Sequence, residues 1–138
     1  MNEIVLNKKI SIERCIKQIR NYYAIDNGLA FEADYLKQDA IAMNLQRISE
    51  SAIDIANHLI KKRKLGLPQN SAESFELLNR AGLIPIPMMQ NLQGMVGFRN
   101  VLVHQYTKLD TAILKEVIEQ HLHEPLDFTN LALGFTER

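Results

Sequence analysis

Apolar residues along this chain recur at steps of three and four and show little strict alternation, a pattern that predicts helices and no sheet. The clearest run is Ile41, Leu45, Ile48, Ala52, Ile55 and Leu59, inside a long helix expected from about Asp34 to Lys64. Its near-heptad spacing suits packing against antiparallel neighbours in a bundle, or against a second copy of the chain. Before it, Asn7 is the expected cap of a helix reaching about Ala24, with Ile12, Cys15, Ile16, Ile19 and Tyr23 on one stripe, and Asp26-Asn27-Gly28 breaks that helix.

After Gly66 and Pro68, Asn70 followed by Glu73 resembles a capping box that opens a short third helix through Ala81, closed by Gly82. Ile84-Pro85-Ile86-Pro87 reads as an extended connector, because a residue before proline avoids the helical region; Pro87 then serves as first residue of a fourth helix. Met88, Leu92, Met95 and Val96 supply the apolar face of that helix, and Gly94 and Gly97 leave room for another backbone. Asp110 looks like the cap of a fifth helix from Thr111 to about His121, with Leu114, Val117 and Ile118 inward. The tail from Glu124 to Arg138 mixes turn residues with Leu126, Phe128, Leu131, Leu133 and Phe135, which are expected to pack back on the rest. The expected fold is all-α, an up-and-down bundle of four to five helices.

A length of 138 residues with 46% hydrophobic content suffices for one sizeable core and is short for two, so residues 1–138 are read as a single domain. The lone Cys15 excludes an intrachain disulfide and sits among Ile12, Ile16 and Ile19 as a small buried hydrophobe. No apolar run approaches the roughly 20 residues of a membrane span, and the first residues lack the charged start and apolar stretch of a leader. A cytoplasmic protein with no membrane association is expected.

A net charge of zero argues against binding nucleic acid by bulk electrostatics, but the charge is unevenly spread. Residues 1–64 hold 11 Lys/Arg against 8 Asp/Glu, and residues 65–138 hold 5 against 8. Lys61, Lys62, Arg63 and Lys64 account for most of the difference. At a helix C-terminus such a run compensates the helix dipole; it also suits steering of RNA phosphates, without sequence preference.

Chemistry concentrates in Gly97-Phe98-Arg99-Asn100-Val101-Leu102-Val103-His104-Gln105-Tyr106, which places a cation, an imidazole and a phenol within eight residues. Histidine titrates in the range useful for proton transfer, and arginine offers a bidentate fork to phosphate oxygens. Together Arg99 and His104 suit cleavage of RNA by attack of its own 2′-hydroxyl. Asn100 can orient the imidazole or hold a phosphate oxygen, and Tyr106 can bind the scissile phosphate or stack a base. Residues five apart on a straight helix lie about 140° apart, so Arg99 and His104 do not share a face. Two arrangements remain: the helix ends between them, or two chains each supply part of one site.

Read as R-x4-H-x-Y, the segment resembles the signature of the HEPN superfamily of metal-independent ribonucleases, most closely the HepT-like toxins. The resemblance extends over most of the chain: Gln46-Arg47-Ile48-Ser49-Glu50-Ser51-Ala52 is similar to a family segment ending in Gly-Glu-Ala, with Ser49 in place of the glycine, and Ala81-Gly82-Leu83-Ile84 is similar to the stretch before the motif helix. It implies a HEPN fold, a homodimer sharing one cleft, and an endoribonuclease with Arg99 and His104 as catalytic pair. It also implies a partner, a minimal nucleotidyltransferase antitoxin that transfers AMP from ATP to Tyr106. An adenylate there adds negative charge and bulk beside the pair and blocks RNA.

Other polar residues carry less. His58, near Asn57 and Asp54, faces either the same cleft or an ordinary helix surface. His121 and His123, two apart beside Glu124, are a weak metal pattern, and no metal or other cofactor is expected. Met88, Met89 and Met95 read as core filler, and neither G-x4-G-K-S/T nor G-x-G-x-x-G occurs, so no nucleotide loop is present. A different class of function fits the same residues: a non-catalytic helical subunit that brings nucleotide or substrate to a nucleotidyltransferase.

Overall fold

The computed structural model describes residues 3–104 and 110–136; of residues 99–104 and 136 it describes the helical path and not the side chains. Six α-helices and no strand occur among the described residues: α1 (Glu3–Ala24), α2 (Tyr35–Arg63), α3 (Ser71–Arg80), α4 (Ile86–His104), α5 (Thr111–Glu116) and α6 (Glu124–Thr136). A short 3-10 turn at Phe31–Ala33 precedes α2, and a π-helical turn at Val117–His121 continues α5.

Helix α2 is the spine. Ile41, Leu45, Ile48, Ala52, Ile55 and Leu59 are all at most 2% exposed, as their spacing requires if one face never meets water. Opposite them, Ile12, Cys15, Ile16 and Ile19 of α1 are buried, and Lys8 reaches Asp54 at 2.9 Å along the same seam. Asp34, where α2 was expected to start, caps it, its Oδ1 accepting from the Lys37 N–H at 3.1 Å while Asn27 donates to Oδ2 at 2.7 Å. The Asn27 hydrogen bond, with the Lys37 amide, holds the Asp34 carboxyl below the usual carboxylate range. At the other end Lys64 turns left-handed at φ 54°, and Gly66 at φ 128° takes a conformation a side chain would resist.

The remaining helices wrap this pair. Asn70 caps α3 by accepting from the Glu73 N–H at 2.9 Å, and Ser74 donates to Asn57 Oδ1 at 2.8 Å, fixing α3 to α2. Gln93 Nε2 donates to the Ala72 carbonyl at 3.0 Å, tying α4 to α3. Helix α4 returns alongside α2, with Leu92 and Val96 in the core, and α6 inserts the fully buried Phe128, whose ring meets Phe75 of α3 edge-on at 5.9 Å.

Several expected boundaries move, each for a packing reason. Helix α1 begins at Glu3 and makes Asn7 an interior residue, since burial of Val5 adds a turn on the N-terminal side. Helix α4 starts at Ile86, one residue before Pro87, because the amide that proline lacks falls among the unpaired first-turn donors anyway. The fifth helix changes to the π-helical turn after Glu116. The tail expected to mix turns and apolar residues forms α6 from Glu124 to Thr136, with Pro125 tolerated in its first turn. Its apolar residues do pack back as expected. Gly94 and Gly97 admit no neighbouring backbone among the described residues, since a Cβ at either would meet nothing within 4 Å.

The Phe75–Phe128 contact closes the core on the α6 side. Phe128→Ala should destabilise the protein by about 3–5 kcal/mol in urea unfolding, a large part of a domain's usual margin; a loss below about 1 kcal/mol would show that α6 is not a full part of the core.

Candidate functional site

Helix α4 runs without interruption from Ile86 to His104, so Arg99, Asn100 and His104 lie on one helix. This corrects one of the two arrangements open from sequence, in which the helix ended between arginine and histidine. Helical geometry sets positions 99 and 104 about 140° apart and stacks positions 100 and 104 a turn apart. The side chains of Arg99, Asn100 and His104, and all of Tyr106, lie outside the described residues.

The basic run is elsewhere. Lys61, Lys62 and Arg63 form the last turn of α2 and Lys64 its cap, where cations complement the negative end of the helix dipole. Arg63 donates to the Phe135 carbonyl at 3.0 Å and lies 5.5 Å from the centre of the Phe135 ring, which anchors the end of α6. A groove here is bordered by Gly82 and Leu83, just before α4 begins. The run is therefore separated from His104 by the length of α4, roughly 27 Å for its rise, and is not brought to the motif of the same chain.

His58 is half-buried on α2, while its neighbours Asn57 and Asp54 are engaged by Ser74 and Lys8 in holding α3 and α1. Among the described residues no group of His, Cys, Asp and Glu is arranged to hold a metal. His121 and His123 pair separately with acids, Nδ1 of His121 lying 2.7 Å from Glu124 Oε1 and Nδ1 of His123 lying 2.8 Å from Asp127 Oδ2. The Cys15 thiol is raised above its ordinary value, first by burial, which suits a packing role and not a nucleophile.

A feature with little signal in the sequence lies beside the motif helix. A cavity of about 230 Å³ opens between α2, α4, the π-helical turn and the start of α6. Leu45, Met95, Phe98, Ile113 and Val117 form its apolar walls, and Ser49, Gln90, Asn91, His121 and Glu124 bring polar groups to it. Ser49 is 1% exposed and, among the described residues, its hydroxyl has no hydrogen-bond partner. The available signals were a hydroxyl between Leu45 and Ala52 on a buried stripe and a glycine, Gly94, on the facing helix. Neither suggests a cavity until the helices are packed.

A family model described as ribonuclease HepT-like matches residues 12–131, which include Arg99, His104 and Tyr106. The chain belongs to the ribonuclease HepT-like family. Over 124 residues, 90% of this HepT-like chain and 92% of the relative, it is 44% identical to an mRNA nuclease HepT of Shewanella oneidensis. It is 33% identical to a tRNA nuclease HepT of Aphanizomenon flos-aquae over 95 residues, 69% of this chain and 62% of that one. Among solved structures it is similar to a tri-AMPylated Shewanella oneidensis HEPN toxin in complex with MNT antitoxin, with 42% identity, a TM-score of 0.90, and 97% of this chain and 99% of that one covered. YutE from Bacillus subtilis, at 18% identity and a TM-score of 0.69, shares the fold. The all-helical HEPN architecture expected from sequence is thus the one this HepT-like chain adopts.

The geometry at the cavity makes a pH prediction. The hydrogen bond that the His121 Nδ1–H donates to the Glu124 carboxylate, aided by the charges of Glu124 and Glu116, raises the imidazole above its ordinary 6.5, against the opposing effect of burial. A raised histidine stabilises the fold fully below the unfolded value and loses that contribution as pH climbs through the folded one. NMR titration should place His121 above 6.5, and Glu124→Gln should bring it down; an unchanged midpoint in that variant would remove Glu124 as the cause.

Proposed function

We propose that this chain is the toxin of a toxin–antitoxin pair: a metal-independent endoribonuclease that acts in the cytoplasm as a homodimer of single-domain chains. A minimal nucleotidyltransferase antitoxin restrains it by placing AMP on Tyr106. The observation that carries this reading is the likeness, over nearly the full length of both chains, to a tri-AMPylated HEPN toxin in complex with MNT antitoxin. The mRNA and tRNA nucleases among its relatives support RNA as substrate.

In this reading Arg99 and His104 carry the chemistry. One imidazole takes the proton from the 2′-hydroxyl, whose oxygen attacks the adjacent phosphorus, and the protonated imidazole of the second protomer gives its proton to the 5′-oxygen as the P–O5′ bond breaks, leaving a 2′,3′-cyclic phosphate end. The guanidinium binds the phosphorane oxygens as their charge grows. Because α4 is continuous from Ile86 to His104, one copy of the motif spreads these groups around the helix, which favours a cleft assembled from the motifs of two protomers. Asn100, a turn before His104, orients its imidazole. Tyr106 contacts the scissile phosphate, so an adenylate there introduces a like charge where RNA phosphate must sit. Lys61, Lys62, Arg63 and Lys64, at the far end of α2, attract RNA phosphates outside the cleft and add affinity without sequence preference.

Arg99→Ala and His104→Ala should each lower RNA cleavage about 100-fold or more and relieve growth arrest when the chain is expressed alone; a variant that still arrests growth and cuts RNA at the parental rate would remove that residue from the pair. Intact mass of the chain co-produced with its antitoxin should increase by one or more AMP units, and Tyr106→Phe should abolish the gain. An adduct that persists in Tyr106→Phe would place the modification elsewhere.

A further inference from the structure

The cavity beside α4 is too small for a drug-sized ligand, at about 230 Å³ against roughly 300–1,000 Å³ for such pockets, and has room for one flat heterocycle. Its composition is that of a base site. Phe98 and Met95 from α4, with Ile113 from α5 and Val117 from the π-helical turn, provide apolar surface on which a ring can lie. Asn91 and Gln90 sit at the rim, each able to present a donor and an acceptor together from one carboxamide. Deeper, the Ser49 hydroxyl is 1% exposed and unpartnered among the described residues. A buried hydroxyl without a hydrogen bond is costly, and a ligand edge reaching it would remove that cost.

Two details show how the fold keeps this space. Gly94 faces the cavity without a side chain, and a Cβ there would meet nothing within 4 Å. The π-helical turn at Val117–His121 brings both Val117 and His121 to the cavity, and Glu124 Oε1 holds the imidazole at 2.7 Å. Such single π-turns recur at functional sites.

We propose that this cavity binds one unstacked nucleobase, with adenine the best match because a carboxamide pairs bidentately with the N6–N7 edge of that base. The inference rests on the ribonuclease reading for its source of bases, while the binding itself does not require cleavage. Phe98 immediately precedes Arg99 in the chain, so a base held here lies next to the motif helix with its ribose and phosphate outside. The base comes either from single-stranded RNA substrate or from an adenylate carried by the chain; both present the same ring.

The test is an NMR titration of the full, unmodified chain with AMP, with ribose 5-phosphate, and with RNA pentanucleotides holding a central A or a central C. AMP and the A-centred RNA should shift the Gly94 amide and the Asn91 side-chain amide, while ribose 5-phosphate should not. Gly94→Leu, whose Cβ meets nothing within 4 Å and whose side chain extends into the space, should weaken AMP binding at least 10-fold with unchanged thermal melting. Asn91→Leu, at an exposed position, supplies a second variant with the same expected loss. If the adenylylated chain already shows the shifted resonances and excludes AMP, the attached adenine is the occupant; if it still takes A-centred RNA there, the substrate base is. Equal shifts from ribose 5-phosphate, or full AMP affinity in both variants, would overturn the proposal. Base binding by a chain that cuts no RNA would keep the cavity and sink the nuclease reading instead.

Discussion

Everything in this molecule depends on keeping one face of α2 dry. Ile41 through Leu59 form a stripe at most 2% exposed across five turns, and no single neighbour is broad enough to cover it. Helix α1 covers one flank, α4 another, and α6 and α3 close the gap through Phe128 and Phe75. Each helix has its own start and stop signals, but few of them would hold a helix in water without that shared burial.

Around this core, polar contacts decide where the functional parts come to rest. The segment that follows the motif is anchored on its far side: Tyr23 donates to Glu119 at 2.7 Å, Lys115 pairs with Glu32, and the Phe31 ring lies edge-on to Tyr23 at 5.4 Å. Burial, together with Glu119 as acceptor, pushes the Tyr23 phenol up to about 12, so it stays a hydrogen-bond donor across the physiological range. These contacts join the end of α1 and the loop before α2 to α5 and its π-helical turn. The same π-helical turn supplies one wall of the cavity beside α4.

The two ends of the bundle are specialised differently. At the end of α2 the cations are partly occupied with structure, Arg63 holding the end of α6 through the Phe135 carbonyl and ring. At the end of α4 stands the motif histidine, on a helix that carries Leu92 and Val96 inward and Met95 and Phe98 toward the cavity. A helix with apolar residues on more than one side has a weakly directional pattern. For that reason the cavity face of α4 could not be separated from its core face by periodicity.

Local chemistry was legible where it is decided within a few residues. The caps Asn70 and Asp110, the breaks at Gly66 and Gly82, and the inward stripe of α2 all follow from side chains acting on their own backbone or on a repeated spacing. The R-x4-H-x-Y spacing likewise made the HepT-like family readable, and the comparisons agree. Tertiary contacts decided the rest. Burial of Val5 and Phe128 extended helix ahead of Asn7 and turned an irregular-looking tail into helix, because each added turn removed apolar surface from water. Packing likewise separated the basic run from the motif helix end and left Ser49, Gly94 and His121, far apart in sequence, around one cavity. Sequence by itself determined that the chain is helical, where most of its helices lie and which residues carry the motif, since those are properties of near neighbours. Only the tertiary structure decided which of them meet, since that depends on how four helices share one dry face.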